Sequence, residues 1–173
     1  MANKRIEELP VVEQSGGETF VVAQNGQAKQ VKHRIIGKNY IVNPWFEVNQ
    51  QGQTSYTQGK CVDAWETSIR VDVLNPGLAL YGIGWVTQKV TDYKMLCGKH
   101  VVFSVRLKNG EIHSDGFEFP VNPNGQTLKN VNTGTVSYAF WHDAAQDALY
   151  VAISGVGNSP VQVECVKLEI GNV

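Results

Sequence analysis

Cysteine is scarce. Cys61, Cys97 and Cys165 are the three cysteines among 173 residues, an odd set with no CxxC pair. That argues against a disulfide framework and a cysteine-based zinc site. It leaves small core residues in a chain made in a reducing cytosol. An excess of one charge is also missing. Fifteen Lys and Arg face sixteen Asp and Glu, for a formal net charge of -1, so nothing global attracts nucleic acid. No apolar run nears the roughly 18 residues of a membrane span. The basic start Met-Ala-Asn-Lys-Arg leads into no apolar stretch, so neither membrane insertion nor a signal peptide is expected.

Motifs for chemistry are absent too. His33, His100, His113 and His142 lie far apart, with no HxH or helix-face spacing, and none reads as a metal ligand. There is no GxSxG. Gly82-Ile83-Gly84 lacks the third glycine and the helix that dinucleotide binding needs. Asp63 with Glu66, and Asp115 with Glu118, are close in sequence. A glycosidase needs two carboxylates across a cleft, roughly 5 to 9.5 Å apart, and any β protein supplies such neighbours by chance. The expectation is a non-enzyme with no catalytic residue, metal or cofactor.

What is present is strand patterning. The hydrophobic fraction of 42% against 18% charged is enough to build a core. Residues 1–18 are polar and read as an extended arm. Residues 19–24 and 27–32 flank Asn25-Gly26, whose tolerance of positive φ at both positions makes it a strong hairpin signal. Residues 33–38 read as a linker. From Asn39 onward strands dominate: 39–42, 69–73, 78–86, 99–108, 111–119, 135–141, 148–154 and 161–170. Val101, Phe103, Val105 and Leu107 share one face, with Ser104, Arg106 and Lys108 on the other. Asn109-Gly110 turns that strand into the next. Val161, Val163 and Cys165 set one phase and Val166, Leu168 and Ile170 the other, which predicts a β-bulge near Cys165. Short helices are expected only at 91–96 and 143–147. Many short strands separated by turns predict an all-β antiparallel sandwich or jelly roll. The domains are 1–37, an N-terminal arm and hairpin, and 38–173, the β-sandwich.

Side chains alternate along a strand. With Phe46 and Phe140 inward, Trp45 and Trp141 point outward, and Trp65, Phe103 and Leu168 join Phe46 in the core. An outward Trp beside amides such as Asn49 and Gln50 is placed to stack on a sugar ring while the amides bond hydroxyls. Trp45, Asn49, Gln50, Tyr56 and Trp141 are the candidate carbohydrate-binding residues. The alternative is that these rings fill a second core layer or a subunit interface.

Residues 39–65 resemble the opening of a jelly-roll module found in tail-fibre, baseplate and head-fibre virion proteins of tailed bacteriophages. That opening reads N-x-(I/L)-x-N-P-x-F, N-Q-R-G, T-S-Y and D-x-W. It is matched here by Asn39, Ile41, Asn43-Pro44, Phe46, Asn49-Gln50, Gly52, Thr54-Ser55-Tyr56, Asp63 and Trp65. Gln51 stands where arginine is usual, and Ala64 interrupts the common D-R-W. The segments 96–99 and 166–171 are similar to later parts of the same sandwiches. Residues 43–47 also approach the N-G-x-F-E opening of carbohydrate-binding modules. Residues 4–10 and 20–31 resemble the leaders of phage fibre proteins.

The resemblance implies a virion protein on tail or capsid, synthesised in the bacterial cytoplasm. It implies a tail or head fibre or spike displaying the sandwich to host-surface glycans for receptor binding. A homo-oligomer, a trimer by the same resemblance, is expected, with residues 1–37 joining sister chains or other virion proteins. A thin hairpin with apolar residues on both faces cannot form a core alone and calls for such partners. The alternatives are a structural decoration or assembly protein without a ligand, and a glycan hydrolase.

Overall fold

The computed structural model describes strands 19–24 and 27–32 and residues 38–171. The chain falls into two units, Met1–Ile36 and Gly37–Val173, each taken by itself. In the first, β1 (Thr19–Gln24) and β2 (Gln27–Lys32) pair antiparallel, with Thr19 opposite Lys32 and Gln24 opposite Gln27. The arm 1–18, the Asn25-Gly26 turn, the linker 33–37 and the side chains of the hairpin, Phe20 included, lie outside the described residues.

The second unit is all-β, two six-stranded antiparallel sheets packed face to face as a sandwich. Its strands are β3 (Ser55–Tyr56), β4 (Gly59–Lys60), β5 (Glu66–Thr67), β6 (Arg70–Val73), β7 (Leu78–Tyr81) and β8 (Val86–Val90). They continue as β9 (His100–Leu107), β10 (Ile112–Glu118), β11 (Thr127–Asn132), β12 (Val136–Asp143), β13 (Ala148–Gly155) and β14 (Val161–Ile170). Sheet one runs β10-β9-β14-β7-β6-β3, and sheet two runs β11-β12-β13-β8-β5-β4.

Alternation builds the core. Val101, Phe103, Val105 and Leu107 of β9 are buried while Arg106 is exposed. Leu149, Val151 and Ile153 of β13 meet them from sheet two. Phe46, Trp65, Phe103 and Leu168 are all buried as expected. Phe103 packs edge-on to Phe140 at 5.0 Å and against Tyr138 at 5.1 Å. The register of β14 against β9 shifts between Val163 and Cys165, the bulge that the phase slip predicts. The β9–β10 turn carries Gly110 at φ +88°. At Gly77, before β7, φ is +108° and a Cβ would stand 2.3 Å from the Val163 carbonyl oxygen, so only glycine fits.

Four sequence expectations are corrected. Residues 39–42 form no strand. The run 78–86 is two strands, because residues 82–85 carry the chain from sheet one to sheet two, with Gly82 at φ +83°. The 91–96 helix is a single 3-10 turn, Tyr93–Leu96. Residues 144–147 are a turn, not a helix, ending on Asp147 at φ +44°.

Residues 39–48 bind the two sheets together without a ladder. The Asn39 side chain accepts from the Leu168 N–H (3.0 Å) and the Ile41 N–H (3.1 Å) and donates to the Val166 carbonyl (3.3 Å). Tyr40 N–H donates to the Leu168 carbonyl at 2.9 Å, and Val166 N–H to the Pro44 carbonyl at 2.9 Å. On the other side, buried Gln88 of β8 accepts from Val42 N–H and donates to the Val42 carbonyl, both at 2.8 Å. A side-chain amide thus replaces a strand partner.

Asn43 is the centre of the belt. It sits at φ +49°, a conformation asparagine tolerates better than most residues. Its amide accepts from Val48 N–H (3.1 Å) and donates to the carbonyls of Val48 (2.9 Å) and Asp63 (3.1 Å). Its own carbonyl accepts from Phe46 N–H (3.1 Å) and from the Trp65 indole (3.3 Å). Phe46 and Trp65 then meet with centroids 5.0 Å apart.

Trp65→Ala should lose about 3–5 kcal/mol in denaturant unfolding, as emptied aromatic sites do. Asn43→Ala should lose about 2 kcal/mol or more, from orphaned backbone groups and an unfavourable φ. Asn43→Gly keeps the φ and removes the amide, so it should stay well below wild type. Wild-type stability in Asn43→Gly would mean that the amide bonds do not hold the belt.

Candidate functional site

The outer face of sheet two is built by register. Thr127 lies opposite Trp141, Trp141 opposite Tyr150, and Tyr150 opposite Lys89. Directly opposed residues share a face, and the alternating neighbours Phe140, Leu149, Val151 and Val90 are buried inward. This row therefore points out of the sandwich. Ala139, Ala152, Thr87, Glu66 and Lys60 form the next row on the same face.

The Trp141 and Tyr150 rings stack, with centroids 5.3 Å apart and planes 10° apart. The turn between β12 and β13 fixes them. Asp143 accepts from the N–H groups of Ala145 (2.9 Å) and Gln146 (3.2 Å) and from the Gln146 side chain (3.2 Å). Gln146 in turn accepts from the Tyr150 hydroxyl at 2.8 Å. Beside Tyr150 opens a groove of about 560 Å³, lined by Gln50, Gln51, Lys60, Asp63, Glu66, Thr87, Lys89 and Gln146 among others. One apolar ring, backed by a second, beside convergent amides, a hydroxyl and charges is the make-up of a site for a polar ring-shaped ligand. Cys61 also borders the groove, but burial pushes its thiol up to about 11, so it is no nucleophile at neutral pH.

The residues read from the sequence are divided by the fold. Gln50 lines the groove. Trp141 is half-buried and lies outside the groove lining, but its ring stacks on Tyr150, which lines it. Trp45 is 40% exposed, but it lies outside the groove lining and lends its carbonyl to Gly77 N–H at 2.9 Å. Tyr56 is a correction: at 5% exposure its ring is in the core, and its hydroxyl donates to Asn49. Asn49 is occupied at both ends, also accepting from Gly52 N–H (3.2 Å) and donating to the Gln53 carbonyl (2.7 Å). Tyr56 and Asn49 therefore serve the loop rather than a ligand.

Tyr150, Thr87, Lys89 and Lys60 did not stand out in the sequence, while Glu66 was noted only as a carboxylate neighbour of Asp63. Alternation in 148–154 does place Tyr150 out of phase with Leu149 and Val151, and the short 144–147 turn brings it back beside Trp141. Lys60 and Glu66 have no such signal, because β4 and β5 are two residues long, and Thr87 and Lys89 are ordinary outward residues of β8 whose neighbours come from distant strands.

A second polar cluster joins the 3-10 turn to the β12–β13 turn, beside a groove of about 590 Å³ bordered by Val121, Asn122, Pro123 and Asn124. Gly125 N–H donates to His142 Nδ1 at 3.1 Å, which leaves the proton on Nε2, facing the Tyr93 hydroxyl at 3.0 Å. Tyr93 donates to Asp147 Oδ1, and Lys94 Nζ donates to Asp147 Oδ2 at 2.6 Å. The Lys94 bond, then that of Tyr93, holds the Asp147 carboxyl down at about 2. The bond to Asp147 pushes the Tyr93 phenol up to about 12. Every member is already partnered and neither shifted group titrates near neutrality, so the cluster is a latch between two turns. Among the described residues no three His, Cys, Asp or Glu side chains are grouped to hold a metal.

The latch has a pH signature. The folded value of Asp147 lies below its ordinary 3.8, so its stabilisation is complete above about pH 4 and is lost as pH falls toward 2. The stability gap between wild type and Asp147→Asn should be constant from pH 7 to about 5 and close below 4. A gap unchanged down to pH 2 would remove Asp147 as its source.

In comparisons with family models, with curated proteins and with solved structures, the chain matches none.

Proposed function

We propose that this chain is a bacteriophage virion fibre or spike protein that displays a carbohydrate-binding-like jelly-roll sandwich for attachment to host-surface glycans. The glycan is received in the groove on the outer face of sheet two, whose wall includes Gln50, Gln51 and Asp63, not at the Asn43 turn that carries Trp45. The observation that carries the reading is the Trp141–Tyr150 stack, with planes 10° apart, beside a polar groove of about 560 Å³. An aromatic face takes the apolar face of a sugar ring, and amides and hydroxyls replace the water on its hydroxyls. The place in the virion and the trimeric state come from the resemblance of residues 39–65, and the attachment role of residues 1–37 from their likeness to fibre leaders.

A structural decoration protein is the second reading, and one observation favours it. Val42, Trp45 and Val48 are exposed at 61%, 40% and 50% around the Asn43 turn. Grouped exposed apolar side chains suit a contact with another subunit. Hydrolysis is the weakest reading. Asp63 and Glu66 both border the groove, but Asp63 already accepts from the Gln50 N–H at 3.2 Å.

Tyr150→Ala and Trp141→Ala should each weaken binding to host-surface oligosaccharides at least tenfold, about 1.4 kcal/mol, on a glycan array or by calorimetry. Trp45→Ala should leave that binding unchanged. Loss through Trp45→Ala alone would move the site to the motif loop, and release of shortened glycan would revive hydrolysis.

A further inference from the structure

We infer that the saccharide taken by this groove is anionic, with its negative group held at Lys89. The inference rests on the saccharide-binding reading and names the class of sugar. Of the ten Lys and Arg side chains between residues 38 and 171, six stand in ion pairs: Lys38, Arg70, Lys94, Arg106, Lys129 and Lys167. Lys60, Lys89, Lys99 and Lys108 stand in none among the described residues. Two of those four, Lys60 and Lys89, border the same groove.

Lys89 has the better position. It lies directly opposite Tyr150 across the β8–β13 pair, where Cβ atoms are about 4.5–5.5 Å apart. Both residues line the groove, and the flexible lysine stem lets the ammonium reach a group bound beside that ring. A pyranose stacked on Tyr150 thus carries its exocyclic substituent within reach of a cation. Lys60 is instead directly opposite Glu66 in the β4–β5 pair, so the charges of that pair offset one another. Glu66 lies opposite Thr87, two residues along β8 from Lys89. The groove holds two carboxylates, Asp63 and Glu66, beside its two lysines, so an anionic group is drawn to Lys89 and away from Glu66, which sets the direction of the sugar.

The test uses the full chain and four acidic probes, each with its neutral partner: oligogalacturonate, oligoglucuronate and polysialate with their carboxyl-reduced forms, and a sulfated oligosaccharide with its desulfated form. The wild type is compared with Lys89→Gln, Lys89→Arg and Tyr150→Ala. The expected result is at least tenfold tighter binding of an acidic probe than of its neutral partner. That preference should fall with added salt, vanish in Lys89→Gln and persist in Lys89→Arg. The carboxylated and sulfated arms tell which anion is preferred. Glu66→Gln should strengthen acidic binding. Equal binding of acidic and neutral partners, both weakened by Tyr150→Ala, would overturn this inference and leave the proposed function standing. Binding of none of the probes, or binding indifferent to Tyr150→Ala, would overturn both. Lys89 is exposed, so its variants keep the fold, and thermal unfolding verifies that.

Discussion

The constraint on which the sandwich depends is the pairing of backbone polar groups where the chain crosses between sheets. A buried N–H or C=O without a partner costs about 1–3 kcal/mol, and residues 39–48 have no ladder to join. Four side-chain amides take the ladder's place. Asn39 pairs with β14, Gln88 with Val42, Asn43 with Val48 and Asp63, and Asn49 with Gly52, Gln53 and Tyr56. Each makes bonds that an aliphatic side chain cannot, which gives a physical reason for the amides of the opening motif. The same commitment removes them from ligand binding.

The other devices of the fold lie at its edges. The outermost strands β3 and β4 are two residues long. The opposite edges, β10 and β11, are longer, and each turns a charged side chain toward the interior. Asp115, opposite Phe103, and Lys129, opposite Phe140, join at 2.9 Å across the two sheets. Short edges and inward charges both discourage edge-to-edge association. The outer faces are then free to differ. Sheet one carries the Arg70–Asp72 ion pair, with Arg70 over the Tyr81 ring at 4.6 Å. Sheet two carries the stacked rings and the groove.

Much of this was legible because alternation is a local signal. The β9–β10 hairpin, the bulge beside Cys165, the burial of Phe46, Trp65, Phe103 and Leu168, and the outward turn of Trp45 and Trp141 all follow from phase and turn chemistry within a few residues. What escaped was non-local or polar. β11, with the sequence TLKNVN, has too little apolar character to read as a strand. Residues 39–42 look like a strand because Ile41 is buried, yet their partners are amides and single carbonyls of distant segments. Tyr56 looked like a surface ring because its neighbours are polar, while the fold buries it under Asn49. Tyr93 is 49 residues from His142 and 54 from Asp147 and meets them only through the fold. The groove needs β4, β5, β8 and β13 in register, which no window of the sequence contains.

Residues 39–49 hold the sandwich, and the outer face of sheet two is the place proposed for the glycan. Amide chemical-shift mapping of the isotope-labelled chain during titration with host-surface oligosaccharide tests it most directly. The account predicts shifts at Thr87, Lys89, Gln146 and Tyr150, with Asn39, Asn43 and Asn49 unmoved. Shifts centred on Asn43, Trp45 and Val48, with the β8 and β13 amides silent, would contradict it.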